Sequence, residues 1–125
     1  MLTVRMRQGK TTVARLPEAV DYDTASHLGD ECKSLIELGC RTLVLDASHV
    51  QYLDSSGISM LLMVTRALEE HDGALRIAEL SDHYQQVWHV LGLDTMFPIA
   101  STVNAALGSP ATEPSVDARL DTSSM

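Results

Sequence analysis

The fold is decided by the stretch LVLDASHVQYLDSSG, which occupies residues 43–57 of the 125-residue chain. Its first residues, together with Thr42, form a short apolar and β-branched run that is typical of a strand buried on both faces. Asp46 ends that run. Residues 54–57 then open a helix predicted over residues 58–68. A buried strand followed by an amphipathic helix indicates an α/β layer fold.

Strand and helix patterns also alternate toward the N-terminus. Residues 2–6 and 11–16 alternate apolar and polar side chains around a turn at Gln8 and Gly9, which predicts a hairpin. We expect Thr24 to cap the helix that follows and Gly39 to end it. The apolar positions of that helix recur at helical spacing: Ala25, Leu28, Cys32, Leu35 and Ile36.

Toward the C-terminus, residues 74–80 predict a strand and residues 96–100 a short extended piece broken by Pro98. Ser81 is expected to cap a third helix that Gly92 ends, and Ser101 to cap a last one. The expected apolar positions are Tyr84, Val87, Trp88 and Leu91 in the third helix, and Val103, Ala106 and Leu107 in the last. This element order predicts a mostly parallel sheet with right-handed crossovers.

The composition changes after residue 108. Residues 109–125 are rich in Ser, Thr, Pro, Ala and Asp, with Val116, Leu120 and Met125 as their large apolar residues. A segment that buries little apolar area cannot offset its ordering entropy. We therefore expect one domain over residues 1–108 and a disordered tail over residues 109–125.

Composition argues against several classes of protein. Lys and Arg number 9 against 17 for Asp and Glu, a formal net charge of −8, which disfavours binding to nucleic acid or to anionic membranes. No stretch approaches the roughly 20 apolar residues that span a membrane, and the N-terminus lacks a signal-peptide core. Two cysteines, Cys32 and Cys40, form neither a metal quartet nor a disulfide framework. We expect a cytoplasmic protein with reduced thiols and protein partners.

The sequence Asp54-Ser55-Ser56-Gly57 places three small polar side chains where a helix begins. One interpretation is an N-cap, because Asp and Ser are the best capping residues. The other is a phosphoacceptor serine, because a phosphate at a helix N-terminus meets unpaired N–H groups and the positive end of the dipole. Phosphate there would also place a second negative group beside Asp54.

Catalytic alternatives have little support. A nucleophile elbow needs Gly-x-Ser-x-Gly, and Asp54 stands where the first glycine belongs. The glycines are too scattered for a phosphate-binding loop or a dinucleotide fingerprint. The histidines show no metal-ligand spacing and are expected at the surface or its boundary: His27, His49, His71, His83 and His89. We expect no catalytic residues, no metal and no cofactor.

A second apolar stripe on the helix after Ser56 comprises Met60, Met63 and Ala67, opposite the stripe that contains Leu61. A helix that is apolar on two faces either packs between neighbours or offers one face to a partner. Packing against a neighbouring helix is one interpretation. The other is a methionine-rich docking patch beside Ser56.

Residues 43–57 resemble the signature of the STAS domain, and in particular that of bacterial anti-sigma factor antagonists. The start of the first helix, residues 20–25, and the closing segment at residues 91–94 and 96–99 also resemble the family. The resemblance covers about residues 3–107. It implies a four- or five-stranded mixed sheet with an N-terminal hairpin and about four α-helices, mainly on one face.

The resemblance also implies a function. Unphosphorylated antagonists of this family bind an anti-sigma factor that is also a serine kinase of the GHKL type, which frees the sigma factor. The kinase then phosphorylates the second serine of the motif, here Ser56, and a metal-dependent serine phosphatase restores the unmodified form. Ser55, Gly57 and Asp54 belong to the same motif.

The resemblance assigns one further position, Asp21, although two residues shortly before it differ from the family's motif. Asp21 matches the acidic residue of the family's Gly-Glu-Leu-Asp motif, in which Glu18 and Ala19 replace the glycine and the glutamate. A scaffold or transport-associated STAS module outside any sigma pathway remains the alternative function. The phosphoacceptor hypothesis favours the antagonist, because a pure scaffold needs no hydroxyl at position 56.

Overall fold

The computed structural model describes residues 2–108, and the tail predicted over residues 109–125 lies outside them. The strands are β1 (Thr3–Gln8), β2 (Thr11–Arg15), β3 (Ala19–Val20), β4 (Thr42–Asp46), β5 (Tyr52–Leu53), β6 (Ala74–Ala78) and β7 (Ile99–Ala100). The helices are α1 (Tyr22–Glu37), α2 (Ser55–Glu69), α3 (Asp82–Val90) and α4 (Val103–Gly108).

Five strands form one mixed sheet in the order β1-β2-β4-β6-β7. The hairpin strands β1 and β2 are antiparallel, and every other pair in the sheet is parallel. Gly9 turns the hairpin with a φ of 60°, a backbone conformation that glycine adopts at little steric cost. The predicted mixed sheet, with the strand at residue 42 in its centre, is confirmed.

Three helices cover one face of the sheet and the fourth covers the other. Leu43 and Leu45 point into the large core that α1, α2 and α3 share, whereas Val44 packs on the opposite face with Ala106 of α4. Because side chains alternate along a strand, both faces of β4 must be apolar to be buried. This explains the unbroken apolar run in the sequence and confirms helices mainly on one face.

Two helices begin at residues other than those predicted. Asp21, not Thr24, is the N-cap of α1: its Oδ1 accepts the N–H of Asp23 and of Thr24 at 3.0 and 3.2 Å. Thr24 completes a capping box, since its Oγ1 accepts the Asp21 N–H at 2.9 Å. At α4, the Oγ1 of Thr102 accepts the Ala105 N–H at 2.9 Å, so Thr102 caps that helix in place of Ser101.

The segment after α3 also differs from the prediction. Leu91 lies beyond the end of the helix and is 58% exposed, whereas Trp88 is buried against Phe97. Residues Leu93–Thr95 form a 3₁₀ turn. Of the extended piece predicted over residues 96–100, only Ile99–Ala100 is a strand. Leu93 and Phe97 are buried through this turn, which folds the chain back over α3.

Within residues 2–108, no helix combines the length and the apolarity that crossing a bilayer requires.

Candidate functional site

The site is built where two helices begin side by side. The short strands β3 and β5 pair in parallel, Ala19 with Tyr52 and Val20 with Leu53. Each of them leads within one or two residues into a helix, β3 into α1 and β5 into α2. The pairing therefore brings the N-termini of α1 and α2 together, and with them the motif that contains Ser56.

Asp54 holds both helix N-termini. Its Oδ1 accepts hydrogen bonds from the N–H groups of Ser56 and Gly57 at 2.9 and 3.2 Å, which makes it the N-cap of α2. Its Oδ2 accepts the N–H of Tyr22, the first residue of α1, at 3.3 Å. A carboxylate near two helix N-termini is favoured by both dipoles. The capping interpretation of the motif is thus confirmed for Asp54.

Asp21 caps α1 beside this carboxylate. The backbone carbonyl of Val20, the residue before Asp21, accepts the N–H of Asp54 at 3.3 Å. The structure thus brings Asp21 and Asp54, which lie 33 positions apart in sequence, to one end of the paired helices. Both are half-buried.

Gly57 allows the backbone of β3 to pass close to α2. A Cβ atom at this position would collide with the carbonyl oxygen of Val20 and would lie 2.7 Å from Cδ1 of Leu53. Any larger residue would push α2 away from β3. The glycine of the motif is therefore required by packing at the base of the site.

The two serines of the motif differ in exposure. Ser55 is exposed, whereas Ser56 is half-buried and lines a groove between α1 and α2. The sequence predicts an exposed Ser56 hydroxyl, and the structure corrects this: Ser56 is half-buried and lines the groove. Successive residues of a helix point in directions about 100° apart, so only one of the two serines can face α1.

The methionine stripe is split between core and surface. Met60 is 4% exposed and packs against α1, which agrees with the helix-packing interpretation and leaves Met60 outside any exposed patch. Met63 is 53% exposed and does lie on the same side of α2 as Ser56, along the groove. Helix packing thus accounts for Met60, and Met63 remains available to a partner.

The backbone N–H groups beside Ser56 are already used. Those of Ser56 and Gly57 donate to Asp54, and that of Ile58 donates to the Asp54 carbonyl at 3.1 Å. A phosphate on Ser56 would have to displace the Asp54 carboxylate to gain the N–H groups of Ser56 and Gly57. The structure therefore favours electrostatic repulsion over capture of the phosphate by the helix N-terminus.

Two tyrosines that the sequence analysis did not single out flank the site. Tyr22 is 81% exposed at the start of α1, and Tyr52 is 54% exposed in β5. Large exposed aromatic rings are enriched in protein interfaces. The signal in the sequence was their position next to the two capping aspartates.

A buried carboxylate supports the loop that leads to the site. Burial acts to raise the pKa of Asp46, but hydrogen bonds from Ser48 and the nearby Arg15 guanidinium outweigh it and lower that pKa. Oδ1 accepts the Ser48 N–H at 2.9 Å, and Oδ2 lies 3.5 Å from Arg15 Nε. Asp46 thereby fixes the path of the chain after β4.

The remaining chemically active residues stand apart from this site. All five histidines are exposed, as predicted, and His89 pairs with Asp94 at 3.0 Å. Residues 2–108 contain no group of His, Cys, Asp and Glu side chains arranged to hold a metal. Cys32 and Cys40 are buried free thiols, and burial raises the pKa of Cys32 to about 12.

Known proteins match this chain in sequence and in structure. A family model described as "Mlab, STAS domain" matches residues 4–99. The chain is similar to BtrV of Bordetella bronchiseptica, a protein named as an anti-sigma factor antagonist, with 31% identity over 94 residues that cover 75% of this chain and 81% of that protein.

The solved structures include SpoIIAA of Bacillus, an anti-sigma factor antagonist, in two forms. The unphosphorylated form covers 86% of this chain and 93% of its own, with a TM-score of 0.73 and 22% identity. The phosphorylated form covers 86% and 96%, with a TM-score of 0.67 and 22% identity. At this identity the likeness to SpoIIAA shows a shared fold.

Proposed function

The chain belongs to the STAS domain family and, within it, to the anti-sigma factor antagonists; on that premise we propose that it is an antagonist switched by phosphorylation of Ser56. In its unmodified form it binds an anti-sigma factor that is also a serine kinase of the GHKL type. Binding releases the sigma factor. Phosphorylation then ends the binding, and a serine phosphatase restores it.

One observation carries the proposal: Ser56 lines a groove at the paired N-termini of α1 and α2, and its N–H donates to the Asp54 carboxylate. The γ-phosphoryl group of ATP would pass to the Ser56 Oγ, with ADP as the leaving group. The hydroxyl proton would pass to a base on the kinase. The product carries about two more negative charges beside Asp54.

The surface around Ser56 supports partner binding by its composition. Tyr22 and Tyr52 supply exposed rings, and Asp21 and Asp54 supply carboxylates at the two helix starts. Ser55 and Met63 complete the proposed partner-binding surface, whereas the buried Gly57 supports it from below and is corrected as a direct partner contact. A dianion introduced into the middle of such a surface has to be desolvated when the partner binds, and this costs several kcal/mol unless the partner supplies a matching charge.

Phosphosite mapping tests the proposal. The chain is incubated with ATP and each GHKL-type kinase from the same genome, and the modified residue is located by peptide mass spectrometry. We expect phosphate on Ser56 of the parent and of Ser55→Ala, and none on Ser56→Ala. With ATP alone the chain should stay unmodified, because it supplies an acceptor and relies on the kinase for catalysis.

Phosphate on Ser55, or on no residue with any of these kinases, would contradict the proposal. The second outcome would favour the scaffold or transport-associated module, which needs no acceptor hydroxyl. The expected location is the cytoplasm, where the kinase, the phosphatase and the sigma factor act.

A further inference from the structure

A groove of about 340 Å³ runs between α1 and α2 from Ser56. Its base is apolar, with Ala25, Met60 and Val64 buried there. Exposed polar residues line the groove as well, namely Ser26, Asp30, Lys33 and Ser59. The groove is at the lower end of the volume range of small-molecule pockets and has the size of one or two side chains.

The two helices line the groove in register. On α2 its residues recur at Ser56, Met60 and Val64, one turn apart, and on α1 they recur at Ala25 and Gly29. Both series begin at the end where Asp54 joins the helix N-termini. The groove is therefore a two-turn channel with Ser56 at one end.

Gly29 keeps the channel open. It is half-buried in the middle of α1, where glycine is unfavourable for a helix. A Cβ atom at Gly29 would lie 3.4 Å from Cγ of Met60, an ordinary contact. Since a methyl group would fit here, close packing does not account for the glycine, and a longer side chain would fill the channel.

We propose that this groove receives an apolar side chain, of about the size of leucine, from the anti-sigma factor when that protein closes over Ser56. The inference rests on the proposed function. A kinase that transfers phosphate to Ser56 must cover the residue, and the groove begins at that residue. The same partner surface therefore extends over the apolar base, which favours an apolar occupant over a charged one.

The groove also links binding to the switch. Phosphate on Ser56 would place a dianion on the wall that the inserted side chain must pass. An apolar group packed against a phosphate prevents water from solvating it, and this is unfavourable. Phosphorylation would thus expel the inserted side chain as well as repel the partner's surface.

Filling the groove at Gly29 tests the proposal by calorimetric titration against the kinase that phosphorylates Ser56. We expect Gly29→Leu to bind at least about tenfold more weakly than the parent, as for the loss of one anchoring side chain. Ser34→Leu adds the same side chain to an exposed position of α1 outside the groove and should bind like the parent.

The outcomes separate the two proposals. If the parent binds and Gly29→Leu binds within about twofold of it, the groove is not an anchoring site and the proposed function stands. If the parent itself binds no such kinase, the proposed function fails and the groove proposal with it. Should Gly29→Leu not fold, Ser59→Leu fills the same groove from α2 and must show the same loss.

Discussion

At the scale of single residues, the Asp54 carboxylate links two helices that are remote in sequence. Oδ1 caps α2 and Oδ2 binds the first N–H of α1. A motif that the sequence identifies by its serines is thus held together by its aspartate. Ser55, by contrast, is exposed, and the cap that the sequence partly assigned to it comes from Asp54.

Replacement of Asp54 should therefore destabilise the fold more than replacement of Ser55. We expect Asp54→Ala to lower the free energy of unfolding by about 1–2 kcal/mol, as for other lost caps. Ser55→Ala should change it by less than about 0.5 kcal/mol, as for surface positions without buried contacts. Urea unfolding followed by circular dichroism measures both, and equal midpoints for the two variants would contradict this role of Asp54.

Asp46 makes the stability of the fold depend on acid. Its folded-state pKa is lowered, so its contribution is fully present above the unfolded-state pKa of about 3.9 and is lost as the pH falls through the folded value. We expect the parent to lose stability below about pH 4 more steeply than Asp46→Asn does. Thermal unfolding at a series of pH values measures this, and parallel curves for the two proteins would contradict it.

At the scale of elements, the helical glycines Gly57 and Gly29 form a matched pair. A Cβ at Gly57 would collide with β3, whereas a Cβ at Gly29 would make an ordinary contact with Met60. We expect Gly57→Ala to cost about 1–3 kcal/mol through overpacking. Gly29→Ala should be neutral or up to about 1 kcal/mol more stable, because alanine favours the helix. Chemical denaturation of both variants would contradict this account if Gly57→Ala were the more stable.

The strands and helices were largely predictable from the sequence. Their apolar residues recur with the spacing of the face that is buried, and burial of apolar surface is the main driving force of folding. The apolar run at β4 and the stripe of α1 are confirmed. On α2, Met60 and Leu61 are both buried although they belong to stripes predicted on opposite faces. Caps were less predictable, since Asp21, Thr24, Ser101 and Thr102 are all residues that cap well. The choice among them depends on where the chain leaves the preceding strand, which only tertiary structure fixes.

The candidate site was predictable in its residues and less so in its geometry. The resemblance to the family indicated Ser56, Asp54 and Asp21, and the β3–β5 pairing brings them to one end of α1 and α2. The sequence did not indicate that Met60 is buried while Met63 is exposed, or that a groove separates the helices. Both depend on how α1 lies against α2, and amphipathic patterns do not specify this.

At the scale of the whole molecule, residues 109–125 should be dispensable for folding. Their composition offers few large apolar side chains, and changes away from buried contacts alter stability little. We expect truncation after Gly108 to shift the free energy of unfolding by less than about 1 kcal/mol. A loss of several kcal/mol in denaturant titrations would show that the segment contributes to the core.

Residues 2–108 form a framework that supports the proposed partner-binding surface. Three helices and the sheet bury the core, and the β3–β5 pairing fixes the two helix N-termini at its edge. The net charge of −8 makes the molecule acidic, so an added phosphate increases its repulsion from an acidic surface of a partner. Local charge at Ser56, rather than refolding, is therefore the expected means of switching.

The most direct test of the switch is calorimetric titration of the GHKL-type kinase with the parent and its Ser56 variants. We expect Ser56→Ala to bind like the parent and to stay bound in the presence of ATP. Ser56→Asp, Ser56→Glu and the Ser56-phosphorylated protein should bind at least about tenfold more weakly, a loss of about 1.4 kcal/mol or more. Phosphorylated protein or Ser56→Asp that binds as tightly as the parent would contradict the account.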